Sequence, residues 1–267
     1  MSRELRRLLI EPERLAATGG EPALLPAERH YLERVLRLRV GERLAVTDGA
    51  GHLWTAELRA GGKLALEQQP AAPLLCEAPP VPPLQLAMAL PKREAGLVWR
   101  MATELGADRL QPLLARRCVR PGKAPLERWG AVVREASEQC ERLWLPALAT
   151  PQPAQDWLSR PPEGVGLLAT TRRAGLGQLA AVLATRAGHD DDGWRTGAGG
   201  GLALISLAIG PEGGWTDEEE AAAEAAGWIA VSLGPTILRT PTAAVSGLAA
   251  LAAWRQLSSS SFPSPSP

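Results

Sequence analysis

Lysine is nearly absent from this chain. Of 29 basic residues only Lys63, Lys92 and Lys123 are lysines, and the rest are arginine. Arginine suits bidentate phosphate contacts and stacking on bases. The 29 acidic residues match the 29 basic ones, so net charge argues neither for nor against a nucleic-acid partner, and a coding preference for arginine is the simpler account. Cysteine is also scarce. Cys76, Cys118 and Cys140 are far apart and lack zinc-ligand spacing, and an odd, scattered set suits a reducing compartment. No apolar run approaches the ~18 residues of a membrane span. The opening MSRELRRLLI has no long apolar run after its charges, so no signal peptide is expected. These absences lead us to expect a soluble, cytoplasmic protein. Neither G-x-G-x-x-G after an early strand nor a P-loop is present, which disfavours NAD and ATP. The run Gly197–Gly201 precedes a strand, which is the wrong order. Asp190–Asp192 lacks EF-hand spacing, so no metal is expected.

The chain is organised around residues 202–242. Leu202–Ile209 is an unbroken apolar run of strand length, as in a strand buried on both faces. Gly210-Pro211-Glu212-Gly213-Gly214 stops it. Thr216 and Glu219 have capping-box spacing, so a helix starts there and ends at Gly227. Trp228–Leu233 is the next apolar run, closed by Gly234-Pro235. Thr240 is placed to cap a last helix, with Pro241 at its first position. Both glycine turns follow strands, where ligands bind in open α/β sheets. Two plain tight turns would carry the same spacing.

At 267 residues the chain can form one large domain or two smaller ones. Residues 1–75 read as a small β-rich unit. Arg7–Ile10, Arg43–Thr47, His52–Leu58 and Lys63–Glu67 suggest strands around an Asp48-Gly49 turn. Pro26–Leu36 suggests a helix with Leu32, Val35 and Leu36 on one side. Arg34, Arg37 and Arg39, near His30, form either a phosphate-contacting edge or a solvated helix end. Pro70–Pro83 is a proline-rich connector. Residues 76–257 then alternate strands (Leu84–Leu90, Arg109–Leu113, Gly164–Thr170) with helices (Gly96–Leu105, Leu126–Leu145, Leu176–Ala187), the pattern of a parallel α/β sheet. On Leu126–Leu145, Glu138 and Arg142 stand four apart and read as a solvated ion pair. His189–Gly201 reads as a flexible loop and residues 258–267 as a disordered tail.

IGPEGGW, SLG and ILRT followed by TAA resemble the end of the RsmE family. TELGADRLQPLLARR, EASEQCERLWLP and RHYLERVLRLRVGERLAVTDGAG extend the resemblance over most of the chain. That family comprises SPOUT-class methyltransferases acting on uridine N3 of 16S rRNA. The resemblance implies a PUA-like RNA-binding β-barrel before a SPOUT domain whose end is threaded into a trefoil knot. It implies a homodimer, the small ribosomal subunit as partner and S-adenosylmethionine as methyl donor. The donor pocket would comprise Gly210, Glu212, Gly213, Leu233, Gly234, Ile237, Leu238 and Arg239.

Arg239 is the candidate for stabilising charge on the uridine, because a cation near a developing anion lowers the barrier. Glu212 is either a carboxylate near the sulfonium or a helix-end residue. Candidate RNA contacts are Arg7, His30, Arg34, Arg37, Arg39, Arg117 and Arg142. Glu104 and Arg142 lie in family-like motifs that would shape the target pocket. The chain departs from the family, which usually has lysine at Met101, arginine at Thr236 and glutamate at Pro241. Cys118 and Cys140 occupy serine-like positions. The competing readings are a non-catalytic RNA-binding or ribosome-assembly protein on the same scaffold, and an enzyme with another target atom such as a ribose 2′-oxygen.

Overall fold

The computed structural model describes residues 5–118, 124–186 and 203–259. The expected loop at His189–Gly201 and nearly all of the expected tail lie outside these residues. The chain divides into two units. The first is Met1–Pro79 with Arg134–Leu145; the second is Pro80–Val133 with Pro146–Pro267.

In the first unit β1 (Arg7–Leu9) leads to α1 (Pro12–Ala17) and α2 (Pro26–His30), which widens into a π-helical turn at Tyr31–Val35. Strands β2 (Arg43–Thr47), β3 (His52–Arg59), β4 (Lys63–Leu66) and β5 (Leu75–Cys76) follow. The sheet runs β1-β2-β3-β4, with β5 also on β3; β1 is parallel to β2 and the other pairs are antiparallel. Alternation in the strands turns Leu8, Leu44, Val46, Trp54, Ala56, Leu58 and Leu64 into one core with Leu15 and Leu32. Leu32 packs as expected, whereas Val35 is exposed, because the wider turn rotates it off the apolar side.

The Asp48-Gly49 turn is built by its own side chain. One Asp48 oxygen accepts the N–H groups of Ala50 (2.8 Å) and His52 (3.1 Å), and the other meets His52 Nδ1 at 2.7 Å. The returning segment is pinned to this turn. Gly51 N–H donates to Leu143 O at 3.0 Å and Leu145 N–H to Gly49 O at 2.9 Å. A β-carbon at Gly51 would lie 2.7 Å from the Trp144 ring, so only glycine fits.

The second unit begins with β6 (Leu84–Ala89), α3 (Ala95–Glu104), β7 (Arg109–Leu114) and α4 (Leu126–Gln139). Then come β8 (Ala147–Leu148), β9 (Gln152–Pro153), α5 (Ala154–Leu158), β10 (Val165–Ala169), β11 (Gly177–Gln178) and α6 (Leu179–Arg186). The last elements are β12 (Ile205–Ile209), α7 (Asp217–Ala225), β13 (Ile229–Ser232) and α8 (Thr240–Ser259). The strands form one sheet in the order β11-β13-β10-β12-β6-β7-β8, with β9 also on β7. Every pair is parallel. All five residues of β12 are buried, as its continuous apolar run requires of a strand covered on both faces. Ala87, Ala89, Leu168 and Ala208 meet Leu158, Trp215, Ala223 and Trp228 on the side of α5 and α7. On the other side α8 packs against α3, β6 and β12. Among the described residues no helix is long and apolar enough to cross a membrane.

Two expectations are corrected. The helix from Leu126 ends at Gln139 rather than Leu145. Glu141 takes a left-handed φ of 65°, and Arg142 N–H closes back on Ser137 O at 3.0 Å, a Schellman-type stop made without glycine. Glu138 and Arg142 therefore do not share a helix face. Nor is Glu138 simply solvated: its carboxylate accepts the Leu9 N–H at 2.9 Å. The second correction concerns Thr240. The first bond of α8 runs from Ala243 N–H to Arg239 O at 2.8 Å, so Arg239 holds the cap position. The Thr240 hydroxyl instead donates to Gly210 O at 2.9 Å.

Burial pushes the Glu138 carboxyl up to about 7, against the opposing pull of the Leu9 hydrogen bond. A carboxyl whose folded value is raised is more readily protonated folded than unfolded. Its contribution to stability is therefore lost as pH rises from about 4.5 to about 7. Glu138→Gln keeps an acceptor for Leu9 and removes the titration. The variant should match the parent near pH 4 and be more stable by about 3 kcal/mol at pH 8, read as the difference in thermal transition at the two pH values.

Candidate active site

Strand register decides where the site forms. Ala169 pairs with both Ile209 and Val231, so β10, β12 and β13 end at one level as neighbours. The chain leaves β12, passes through α7 and returns on the far side of β10. The reversal opens a crevice at the carboxyl ends of these strands, where backbone groups are left without ladder partners. A pocket of about 310 Å³ lies there, lined from the loops after β10 (Thr170–Arg173), β12 (Gly210–Trp215) and β13 (Leu233–Leu238).

Each loop is held by hydrogen bonds to neighbouring elements. After β12, Gly214 N–H closes a turn on Pro211 O at 2.8 Å, with Gly214 at φ 73°. Trp215 donates its indole N–H to Ala169 O at 3.0 Å, tying this loop to the end of β10. A β-carbon at Gly210 would come within 3.1 Å of that indole, so glycine sets how closely the loop approaches. Thr216 and Glu219 form the expected capping box: Glu219 N–H donates to Thr216 Oγ1 at 3.2 Å, and Thr216 N–H to Glu219 Oε2 at 2.9 Å. The other Glu219 oxygen accepts Arg116 N–H at 2.9 Å. Arg117, next in sequence, donates to Gly213 O (3.0 Å) and Trp215 O (2.9 Å).

The loop after β10 is clipped to α7. Thr170 Oγ1 bonds to Glu220, and Arg173 reaches Glu220 at 3.1 Å and Glu224 at 2.5 Å. Exposed ion pairs contribute little to stability, so these bonds matter chiefly for the loop's shape. After β13, Ser232 Oγ donates to Gly234 O at 3.1 Å and accepts Gly234 N–H at 3.2 Å. Gly247 lets α8 come close beneath: a β-carbon there would sit 2.7 Å from Leu207 and 3.4 Å from Leu233.

Of the eight residues expected to form the donor pocket, Gly210, Glu212, Gly213, Leu233, Gly234, Ile237 and Leu238 line it. Arg239 does not; it is exposed between two lining residues, Leu238 and Thr240. Arg117, expected among the RNA contacts, lines this pocket and grips its backbone. Thr236, a departure from the family pattern, lines the pocket, whereas Pro241 does not. Met101 and Glu104 lie on α3 outside the lining, where Glu104 pairs with Arg100 at 3.6 Å. Thr170–Arg173 are lining residues that motif and spacing do not single out, and Trp215, within the IGPEGGW motif, lines the pocket too although it is not among the eight residues expected there. A signal exists for the first of them, since TTRRAG also follows a buried strand. Cys118 is half-buried, and burial, with Glu212 and Glu219 adding to it, pushes its thiol up. It stays protonated and is a poor nucleophile.

In the first unit, His30, Arg34, Arg37 and Arg39 are exposed, and Arg37 has φ 57°. Arg7 is engaged internally, bonding to the Glu141 carboxylate at 2.6 Å and carbonyl at 2.5 Å. Arg142 follows the helix stop, half-buried.

A family model described as an RNA methyltransferase domain matches residues 77–252, and one described as an RNA methyltransferase PUA domain matches residues 26–67. The chain is 39% identical to the ribosomal RNA small subunit methyltransferase E of Synechocystis sp., over 91% of this chain and 76% of that one. It is 34% identical to the protein of the same name from Mycobacterium bovis, over 91% and 90% of the two chains. Among solved structures it resembles ribosomal RNA small subunit methyltransferase E of Neisseria gonorrhoeae bound to S-adenosyl methionine. The TM-score is 0.73 at 26% identity, covering 93% of this chain and 97% of that one.

Replacing Glu219 by alanine removes the capping box and orphans the Arg116 amide. The expected loss is about 2–3 kcal/mol. Differential scanning calorimetry should show it, with faster amide exchange at Arg116 and Thr216.

Proposed function

This chain belongs to the ribosomal RNA small subunit methyltransferase E family, and from that premise we propose that it transfers a methyl group from S-adenosylmethionine to N3 of a uridine in 16S rRNA. The observation that carries the reading is the pocket at the level ends of β10, β12 and β13. Its chemistry fits the donor. Leu233, Ile237 and Leu238 supply an apolar wall for adenine, and Ile237, 63% exposed, has surface that the ring would cover. A β-carbon at Gly234 would meet nothing within 4 Å, so there is room for an adenine ring to approach the chain closely there. The carboxylates of Glu212, Asp217 and Glu220 in the lining favour a positive charge. Bound there, S-adenosylmethionine supplies an electrophilic methyl group on a cationic sulfur.

Uridine N3 holds a proton and is a poor nucleophile until that proton leaves. Arg239 is well placed to assist that loss. Exposed beside the lining, it can meet a base entering from solvent and stabilise the anion as it forms. Glu212 holds the positive end of the donor. The first unit would carry RNA through its exposed basic edge at His30, Arg34, Arg37 and Arg39, contacts that position the strand without reading it. Arg142 would add a contact to the RNA, whereas Arg7 is taken up by Glu141. The reading includes the small ribosomal subunit as partner, a cytoplasmic location, a homodimer and a trefoil knot at the carboxyl end.

The test offers labelled S-adenosylmethionine with small ribosomal subunits and with free 16S rRNA, both from cells lacking the endogenous enzyme. Nucleoside analysis should return N3-methyluridine, and Arg239→Ala should lower kcat by about 10²-fold or more with little change in donor affinity. A methylated ribose in place of the base, or neither transfer nor donor binding, would refute the reading.

A further inference from the structure

Three arginines line the pocket, and two of them are occupied. Arg117 is committed to the carbonyls of Gly213 and Trp215. Arg173 is committed to Glu220 and Glu224. Arg172 is exposed and, among the described residues, has no hydrogen-bond or ion-pair partner for its guanidinium. It also holds an unfavourable backbone conformation, with φ 61°. A side chain at that angle crowds its own backbone, and glycine would adopt it freely. The chain has a glycine only three residues on, at Gly175 (φ 77°). The loop is fixed on both sides of Arg172: Thr170 N–H donates to Val231 O at 3.0 Å, and Arg173 is clamped to α7. The left-handed turn is therefore imposed by its neighbours, and the arginine is kept despite it. Strain of this kind persists where the surroundings over-determine it, commonly at ligand contacts.

We propose that Arg172 is a specificity-determining contact for an oxyanion of a substrate bound in this pocket. The inference rests on the functional reading above. That reading offers two oxyanions, the carboxylate of the methyl donor's amino-acid end and a phosphate beside the target uridine. Both suit a planar guanidinium with paired donors. The lining carboxylates Glu212, Asp217 and Glu220 oppose anions generally, so an unpaired arginine at this position provides local selectivity for one charged group.

Strain and binding make opposite demands here, which gives the test its signature. Arg172→Gly relieves the backbone while removing the guanidinium; Arg172→Lys keeps the charge and loses the paired geometry. Both are made in the full chain. Three quantities are measured: donor affinity by calorimetry, KM for small ribosomal subunits at two salt concentrations, and Tm. Arg172→Gly should raise Tm by about 1–3 °C and weaken one ligand about tenfold, with Arg172→Lys about threefold weaker for the same ligand. A loss in donor affinity identifies the carboxylate. A raised KM for the RNA with a shallower salt dependence identifies the phosphate. Donor affinity and RNA KM both within twofold of the parent in Arg172→Gly would overturn the proposal. A parent protein that binds both ligands without transferring methyl refutes the functional reading alone, since the binding arms still report on Arg172.

Discussion

The site depends on one buried carboxylate. Glu219 is fully buried, and its two oxygens are satisfied by backbone amides from different parts of the sheet, Arg116 after β7 and Thr216 at the start of α7. Leaving such a group unsatisfied in a protein interior would be costly, so the two loops cannot separate independently. Arg117, adjacent to one of those amides, extends the connection to Gly213 and Trp215. The indole of Trp215 carries it to the end of β10, and the hydroxyl of Thr240 attaches the first turn of α8 to Gly210. A glycine-rich loop is soft by itself. Here it is fastened at four points, each through backbone carbonyls or amides, which leaves the facing side free to bind.

The acidic run at the start of α7 shows how one local composition serves several ends. Asp217, Glu218, Glu219 and Glu220 all favour the helix N-terminus electrostatically. Beyond that they diverge. Glu219 turns inward as a brace, Glu220 reaches across to Thr170 and Arg173, and Asp217 faces the pocket. A chain with no net charge thus places its charges in specific pairs around one crevice. What distinguishes Arg172 is its omission from that pairing.

The post-strand glycine turns and the capping box are legible in the sequence because each is a short-range device. Thr216, Glu219 and Gly227 act within one turn of their own helix, so spacing alone defines them. Strand runs such as Ile205–Ile209 are legible because a strand covered on both faces leaves little room for polar residues. Long-range partners are not legible. Nothing in GPEGG or TTRRAG says which loop will face which, and the strand order that brings β10 beside both β12 and β13 is a tertiary fact. The end of α4 is hidden because Glu141 performs glycine's role there. Thr240 misleads because its hydroxyl serves a distant loop rather than its own helix. Motif resemblance points to seven residues that line the pocket and to an eighth, Arg239, that stands outside the lining.

The return of Arg134–Leu145 to the first unit has a bearing on biosynthesis. Domains generally fold in the order in which they leave the ribosome. The amino-terminal unit here cannot complete itself in that order. Its Asp48–Gly51 turn must wait for Leu143, Trp144 and Leu145, which are translated after β6, α3, β7 and most of α4. The first sheet, made wholly from residues before β6, can pair early, but its turn gains its last hydrogen-bond partners only after part of the second unit has been made.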